Sequence, residues 1–444
     1  MGTINIKNGE VDTYKIWVNK KCIGTLDRDI RDPANPNYTF QYTPNANEFD
    51  MVSLSMPVRD RPYKTRNKLP LAFLQNIPSD SFKNNLKKWK NRRDDTALSD
   101  WDILGMIGQN QIGRVSVTPT DVTKVEENPP SELKVSDVIN ATCSQDVFDN
   151  LMQDAFLSDA VNGGLPKVAR SMVDDLTAKD DDILTTSERT IIPDDFIIKN
   201  FPTGSRYPFL CANEYLCSLT AMSAGIPTVN IRLSSDYSLN VIKRFDRILQ
   251  DGKPYRYGFD DGLTLLQYII EEESMSAQYN SSYEQMATEM LKHIRQEDKI
   301  NLFKRVAISL VLRDGDAHLR NFGVLYNSKG RWFSPAYDIC MTAMYYKENE
   351  TDEHTSPFNE TMALEMHGTR EYPDAEGLLA FGMEACRLTR AETINGLSDI
   401  QRAVNELCNG GVEKSLRGYL YADKIGPMFH KIFNNFTMEN IVPR

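Results

Sequence analysis

The stretch Asp314-Gly315-Asp316-Ala317-His318-Leu319-Arg320-Asn321-Phe322, followed by Ser334-Pro335-Ala336-Tyr337-Asp338, decides how this chain is read. It sets an Asp, an Asn five residues later and a second Asp beyond two strand-like segments. Phosphoryl transfer asks little covalent help of a protein, which must instead place the acceptor hydroxyl and neutralise phosphate charge through Mg²⁺. In that chemistry Asp316 is the catalytic base, while the amide oxygen of Asn321 and the carboxylate of Asp338 suit a hard cation that keeps oxygen ligands. Asn301 to Leu312 reads as a buried helix, with Phe303, Val306, Ala307 and Leu310 at helical spacing and Gly315 placed to end it. Phe322 to Tyr326 and Arg331 to Phe333 flank the turn signal Asn327-Ser328-Lys329-Gly330, which returns Asp338 beside the loop. A lone Asp-Gly-Asp would be a helix end and a solvated turn; the whole constellation points to phosphoryl transfer.

Length and composition set the outer limits. A chain of 444 residues with 41% hydrophobic content can bury large cores and hold two or three domains or lobes. It contains no run of 18 apolar residues, and Met1-Gly2-Thr3-Ile4-Asn5-Ile6-Lys7 lacks the apolar stretch of a signal peptide. A cytoplasmic location without membrane association is the expectation. The seven cysteines are scattered, odd in number and without a Cys-x-x-Cys pair, so neither a disulfide framework nor a zinc site is indicated. A net charge of −11 argues against broad nucleic-acid binding by the chain alone. The densest basic run, Lys83 to Arg93, reads as a solvated helix face.

Along the chain, residues 12 to 57 alternate like strands, and Tyr14 to Val18 and Cys22 to Leu26 flank Asn19-Lys20-Lys21 as a hairpin. A small α+β module runs to about Pro119, and the Thr-, Glu-, Pro- and Ser-rich stretch 120 to 145 marks a linker or irregular connection. Upstream of the decisive motif, Asp195-Phe196-Ile197-Ile198-Lys199 is an apolar run ending in Lys. Asn213-Glu214 opens a helix with Leu216, Leu219 and Met222 on one face, stopped by Gly225-Ile226-Pro227. A strand Lys paired with a helix Glu is how kinases hold the α- and β-phosphates, which makes Lys199 and Glu214 the candidates. Gly163 and Gly164, ahead of Lys167, would let backbone N–H groups approach phosphate. Leu239 to Arg247 reads as a strand leaving into the linker where a kinase packs adenine.

Together, Ile197-Ile198-Lys199, Asn213-Glu214, Lys243-Arg244-Phe245-Asp246-Arg247, Asp316 to Phe322 and Ser334 to Ile339 resemble the HipA family of bacterial serine/threonine-protein kinases, the toxins of HipBA modules. Val52 to Pro57, Leu74 to Pro78, and Leu104 to Gln109 through Gly113-Arg114-Val115 resemble that family's N-terminal subdomain. The resemblance implies an α+β, two-lobed protein-kinase-like fold with an added N-terminal α+β subdomain and a mainly helical C-lobe. It divides the chain into 1–119, an N-lobe at 120–245 with the Gly-rich loop, and a C-lobe at 246–444. It further implies ATP and Mg²⁺ as cofactors, a protein substrate such as an aminoacyl-tRNA synthetase phosphorylated on Ser or Thr, and slowed growth. Its implied partner is a HipB-like helix-turn-helix antitoxin, through which alone operator DNA is reached. By position, Gly163, Gly164, Lys167, Lys199 and Glu214 belong to the nucleotide site; Lys243 and Phe245 supply hinge contacts to adenine, and Asp246 approaches the ribose. His318, grouped with the nucleotide-binding residues, and Arg320 support the loop.

The chain departs from the family at Leu165, where Gln is usual, and at Ala160, where a regulatory Ser stands three residues before the first Gly. Ser158 is the substitute candidate for autophosphorylation, with an ordinary helix-end Ser as the alternative. Two other classes stay open. A small-molecule phosphotransferase of the aminoglycoside or choline kinase type shares the Asp, Asn and Asp but normally has His before the first Asp, where this chain has Gly315. A kinase relic kept as a corepressor is opposed by intact Lys199, Asp316, Asn321 and Asp338.

Overall fold

The computed structural model describes residues 11–77, 99–125, 132–141, 143–155, 167–176, 194–201, 207, 209–250, 253–266, 277–345, 361–416 and 441–443. Gly163, Gly164, Ser158 and the basic run at 83–93 lie outside the described residues. The chain forms two compact units, each assembled from separated segments. Unit one takes residues 1–129, 153–164 and 246–260, and unit two takes 130–152, 165–245 and 261–444.

Unit one is built on strands β1 (Val11–Val18), β2 (Lys21–Asp29), β3 (Asn37–Tyr42), β4 (Tyr63–Arg66) and β5 (Val115–Pro119), in the sheet order β4-β3-β2-β1-β5. The expected β1–β2 hairpin is present. Its two turn residues, Asn19 and Lys20, have φ of 46° and 71°, the left-handed pair that lets a two-residue turn follow the strand twist. The short helix α1 (Leu71–Leu74) and the helix α2 (Asp100–Ile107) complete the described part. A Ser99–Asp102 capping box starts α2, which buries Trp101, Ile103, Leu104 and Ile107. Trp101 stacks on Tyr14 of β1 at 4.3 Å between ring centroids. The helix comes this close because Gly105 and Gly108 face the sheet: an added Cβ would lie 2.1 Å from the Tyr14 hydroxyl oxygen and 2.7 Å from Val117 respectively.

The helix α3 (Val135–Ile139) lies in the stretch whose composition suggests an irregular connection, and α4 (Ser144–Ala155) starts at its end. Val135 and Val138 are fully buried there, a two-residue apolar signal too short to register against the surrounding Pro and Ser. Next comes an antiparallel sheet of β6 (Lys167–Met172), β7 (Asp194–Asn200), β8 (Ile231–Leu233) and β9 (Leu239–Lys243), ordered β6-β7-β9-β8. The helix α5 (Leu210–Ser223) lies between β7 and β8 in the chain and starts ahead of Asn213-Glu214. Leu216 is buried as expected, but Met222 is 48% exposed; the buried side is instead made of small and polar residues such as Ala212, Asn213, Glu214 and Ser218. Gly225, with φ 74°, stops the chain where the sequence places the stop.

The helical remainder contains α6 (Tyr283–Met290), α7 (Lys299–Val311), α8 (Ala375–Glu384) and α9 (Arg390–Glu406), with the hairpin β10 (Gly323–Asn327) and β11 (Gly330–Phe333) between α7 and α8. Unit two thus has the kinase-like plan of an antiparallel sheet with one helix followed by a mainly helical lobe. Among the described residues no helix is long and apolar enough to cross a membrane. The end of α7 corrects the expectation that Gly315 terminates it. Arg313 adopts φ 57°, its N–H donates to the Leu310 carbonyl (3.1 Å), and the Asp314 N–H donates to the Ser309 carbonyl (2.8 Å). This is the pair of reversed bonds that closes a helix around one left-handed residue, and it turns Asp314 inward. Deeper in the lobe, Phe303 of α7 sits against two glycines, one on α8 and one on α9: a Cβ on Gly382 would meet Phe303 at 2.9 Å and Thr393 at 2.4 Å. Gly382→Ala is therefore expected to cost about 1–3 kcal/mol of stability by overpacking, read as a lower urea midpoint at unchanged slope.

Candidate active site

Strand register assembles the site. In the antiparallel ladder Lys167 faces Lys199, and Lys199 faces Asn240, so the three side chains form one row on one face of the sheet. All are buried, at 6%, 5% and 0% exposure. Two residues along each strand, Ala169, Ile197, Ile242 and Ile231 form a parallel apolar row on the same face. Ile197, Tyr215, Phe245 and Tyr337 pack on the Val229, Ile231 and Ile242 cluster, and the Phe245 and Tyr337 rings stack at 5.4 Å. One face of the sheet therefore carries an apolar row, packed against Tyr215, Phe245 and Tyr337, two residues along from the row of Lys167 and Lys199.

The Lys199 ammonium lies between two carboxylates. It donates to Glu214 Oε1 at 2.5 Å and to Asp338 Oδ1. Glu214 Oε2 accepts from the Asn240 amide at 3.0 Å, and the same nitrogen donates to the Cys211 carbonyl. Burial opposes the charge of Lys199, but Asp338 and Glu214 outweigh it and raise its pKa. Asp338 is the converse: burial opposes its charge, yet Lys199 and then Lys167 hold its carboxyl far below the usual range. Burial, reinforced by the charge of Asp338, pushes Glu214 up against the pull of Lys199. Lys167 is depressed by burial, with the adjacent Lys199 charge adding to the effect against Asp338. Among the described residues its ammonium has no hydrogen-bond or ion-pair partner. The carboxylate whose charge most offsets that burial is Asp338, which Lys167 shares with Lys199.

The decisive loop is fixed through its backbone and left open at one side chain. Asp314, 1% exposed, accepts from the N–H groups of Asp316 (3.2 Å) and Cys340 (3.4 Å). The Gly315 N–H donates to Thr342 Oγ1, and the Tyr283 hydroxyl donates to the Ala317 carbonyl. Asn321 Oδ1 accepts from the His318 N–H at 3.0 Å and closes the one-turn helix Leu319–Asn321. Arg320 pairs with Asp261 at 2.7 Å. Arg305 of α7, fully buried, donates to the Tyr337 carbonyl at 2.9 Å and lies over the Phe322 ring. Asp338 itself takes φ 52°, a left-handed conformation that costs a non-Gly residue about 1 kcal/mol. Asp316, by contrast, is exposed. His318 Nδ1 is buried and has no partner among the described residues, and burial lowers its pKa.

Lys167, Lys199, Glu214, Phe245, Asp316, His318, Asn321 and Asp338 all belong to unit two. The side chain of Lys243 lies on the sheet face opposite Lys199, since three residues separate it from Asn240, and its N–H donates to the Asn230 carbonyl. Asp246 falls in unit one, where its carboxylate, 1% exposed, accepts from the Gly113 N–H at 2.7 Å. Asn240, Asp314 and Arg305 escaped the sequence reading as site residues. An Asn between Leu239 and Val241 in an apolar strand was the available signal for the first, and Arg305 with Ser309 one helical turn on was the signal for the last. Among the described residues no group of three or more His, Cys, Asp or Glu is placed to hold a metal ion. Asn321 and Asp338 are a neutral and an anionic oxygen donor, which suits a hard cation that takes its remaining ligands from phosphate and water.

Burial pushes the Asp314 carboxyl up to about 8, with Arg305 opposing and Asp316 assisting. The folded chain holds this proton more tightly than the unfolded chain, where an Asp ionises near ~4. Its contribution to stability is therefore full below about pH 4 and is lost as pH rises toward 8. Across that window the group alone lowers unfolding stability by up to about 1.4 kcal/mol per pH unit. Asp314→Asn removes this titration, so urea unfolding at about pH 5 and about pH 8 will show a smaller loss in the variant than in the wild type.

A family model described as the HipA N-terminal domain matches residues 14–118, and one described as the HipA-like C-terminal domain matches residues 161–409. "Putative kinase Y4mE" of Sinorhizobium fredii is 22% identical over 393 residues, covering 84% of this chain and 86% of that protein. A "Putative kinase" of Haemophilus influenzae is 28% identical over 162 residues, 34% of this chain and 46% of that protein. Among solved structures, a chain of the Shewanella oneidensis "Toxin Antitoxin System HipA, HipB and its operator DNA complex" shares the fold, with a TM-score of 0.63 at 14% identity over 95% of this chain and 97% of that one. With both parts matched in chain order, this protein belongs to the HipA family.

Proposed function

We propose that this chain is an ATP- and Mg²⁺-dependent serine/threonine-protein kinase, acting in the cytoplasm as the toxin of a bacterial toxin–antitoxin module. The observation that carries the reading is the Lys199 ammonium held by Glu214 and Asp338 beside an apolar row, with Asp316 exposed on an otherwise immobilised loop. The residues fit the cofactor. Ile197, Ile242 and Phe245 suit a planar base, while Lys199 and Lys167 suit phosphate oxygens. Asn321 and Asp338 are the metal ligands. Bound ATP with its metal supplies the phosphoryl group and the charge neutralisation. Asp316 accepts or orients the proton of the acceptor hydroxyl, Glu214 keeps Lys199 charged and aimed, and Asn240 keeps Glu214 in place. The acceptor is a Ser or Thr of a cellular protein, with an aminoacyl-tRNA synthetase as the family-based candidate.

Asp316→Asn should bind nucleotide with near wild-type affinity yet lose transfer by about 10²-fold or more, the usual range for removing a general base. Asp338→Asn should instead weaken Mg²⁺-dependent nucleotide binding, measured by calorimetry with and without metal. Purified chain incubated with γ-labelled ATP, Mg²⁺ and bacterial lysate is expected to label a protein on Ser or Thr. A labelled small molecule would move the chain to the small-molecule phosphotransferases, and no label at all would make it a relic.

The Shewanella relative is described in a complex with HipB and operator DNA, and we infer a HipB-like helix-turn-helix antitoxin as the partner of this chain. The net charge of −11 penalises approach to a polyanion, so DNA is reached through the basic, dimeric partner. A mobility-shift assay at physiological salt should show no specific complex with the chain alone and a supershift once the antitoxin is bound. Tight sequence-specific binding by the isolated chain would overturn this division of labour.

A further inference from the structure

Asp316 is not wholly free. The Tyr279 hydroxyl donates to Asp316 Oδ1 at 2.7 Å, while Oδ2 has no hydrogen-bond partner among the described residues. We propose that Tyr279 is a positioning residue for phosphoryl transfer: its O–H immobilises one oxygen of Asp316, so that the other is presented to the acceptor hydroxyl. The inference rests on the kinase reading above. An exposed aspartate can rotate about two side-chain bonds, and a base that must meet a hydroxyl at hydrogen-bond distance loses rate with each idle orientation. A charge-assisted O–H bond to one carboxylate oxygen removes that freedom without consuming the second oxygen.

Tyr279 is itself held on three sides. Its ring meets His318 edge-on at 5.1 Å and 76°, its carbonyl accepts from Arg370 at 2.7 Å, and it ends the one-turn helix Ala277–Tyr279, whose Ala277 is buried. Four residues on, the fully buried Tyr283 donates to the Ala317 carbonyl. Two tyrosines of one segment therefore reach consecutive residues of the catalytic loop, one fixing a side chain and the other the backbone. The segment is tied down in turn, since the Tyr283 N–H donates to the Glu365 carbonyl at 2.9 Å and the Glu365 N–H to the Ser281 carbonyl at 3.2 Å. Burial and the charge of Asp316 keep the phenol protonated, so it remains a donor at any working pH.

Tyr279→Phe keeps the ring against His318 and deletes only the donor. The test compares wild type and variant by inorganic phosphate release from ATP and by label transfer from γ-labelled ATP to lysate protein. The expected result is a kcat lowered about ten- to a hundredfold, with KM for ATP and the thermal midpoint unchanged; a merely structural role would move the midpoint. A kcat within about twofold of an active wild type, or a higher one as for a hydroxyl that blocks the acceptor's place, overturns the proposal and leaves the kinase reading standing. A wild type that transfers phosphate to no acceptor, water included, removes both.

Discussion

The Lys199 ammonium, lodged between Glu214 and Asp338, is the contact on which the rest of unit two is arranged. It joins a strand, a helix and the loop after a hairpin, three pieces far apart in sequence. Taking such charges out of water costs several kcal/mol per ion, and removing one partner of a buried pair costs about 3–5 kcal/mol because the other is stranded. Apolar side chains of similar size would hold the same three elements together at least as well. A sheet face that carries Lys167, Lys199 and Asn240 in one row is thus poorly accounted for by stability alone.

The same logic separates scaffold from chemistry in the loop. Asp314, Thr342, Tyr283 and Arg305 bind its backbone or that of the neighbouring Tyr337, and none of them needs to touch a substrate to matter. Arg305 shows what this rigidity costs: it is fully buried, with an Nε that finds no partner among the described residues. What remains exposed is the Asp316 carboxylate. A rigid backbone presenting a single accessible acid is the division of labour that catalysis by positioning requires.

Local patterns were legible and long-range ones were not. The β1–β2 hairpin, the β10–β11 hairpin and the stop at Gly225 depend on neighbours within a few residues, and the sequence carries them openly. Asp316, Asn321 and Asp338 were legible because one short loop and one hairpin fix their spacing. The end of α7 was misread because a glycine is the default left-handed residue, whereas here Arg313 takes that place and stacks on Tyr372 at 4.3 Å, a partner far along the chain. Tyr279 was invisible for the same reason, and Asn240 showed only as a polar residue in an apolar strand, as each acquires its meaning from a partner in another element. On α5 the helical period suggested an apolar stripe, while the side actually buried mixes Ala212, Leu216 and Ala221 with Asn213 and Glu214, which serve the loop near Met341 and Lys199.

Register is where fold and chemistry become one constraint. The ammonium row and the apolar row lie two residues apart on the same strands, a separation of about 6.6–6.8 Å, and both face the same way only because side chains alternate with period two. Slipping β7 by one residue would turn Lys199 and Ile197 to the far side and bring Ile198 into the charged row and Phe196 into the apolar one, both of them now fully buried on the far face. The far face would then lose the packing of these two side chains, and Lys199 would leave Glu214 and Asp338 behind. Packing on one side of the sheet therefore enforces the register that the other side uses, and the apolar residues Phe196 and Ile198 govern the position of Lys199 without touching any ligand.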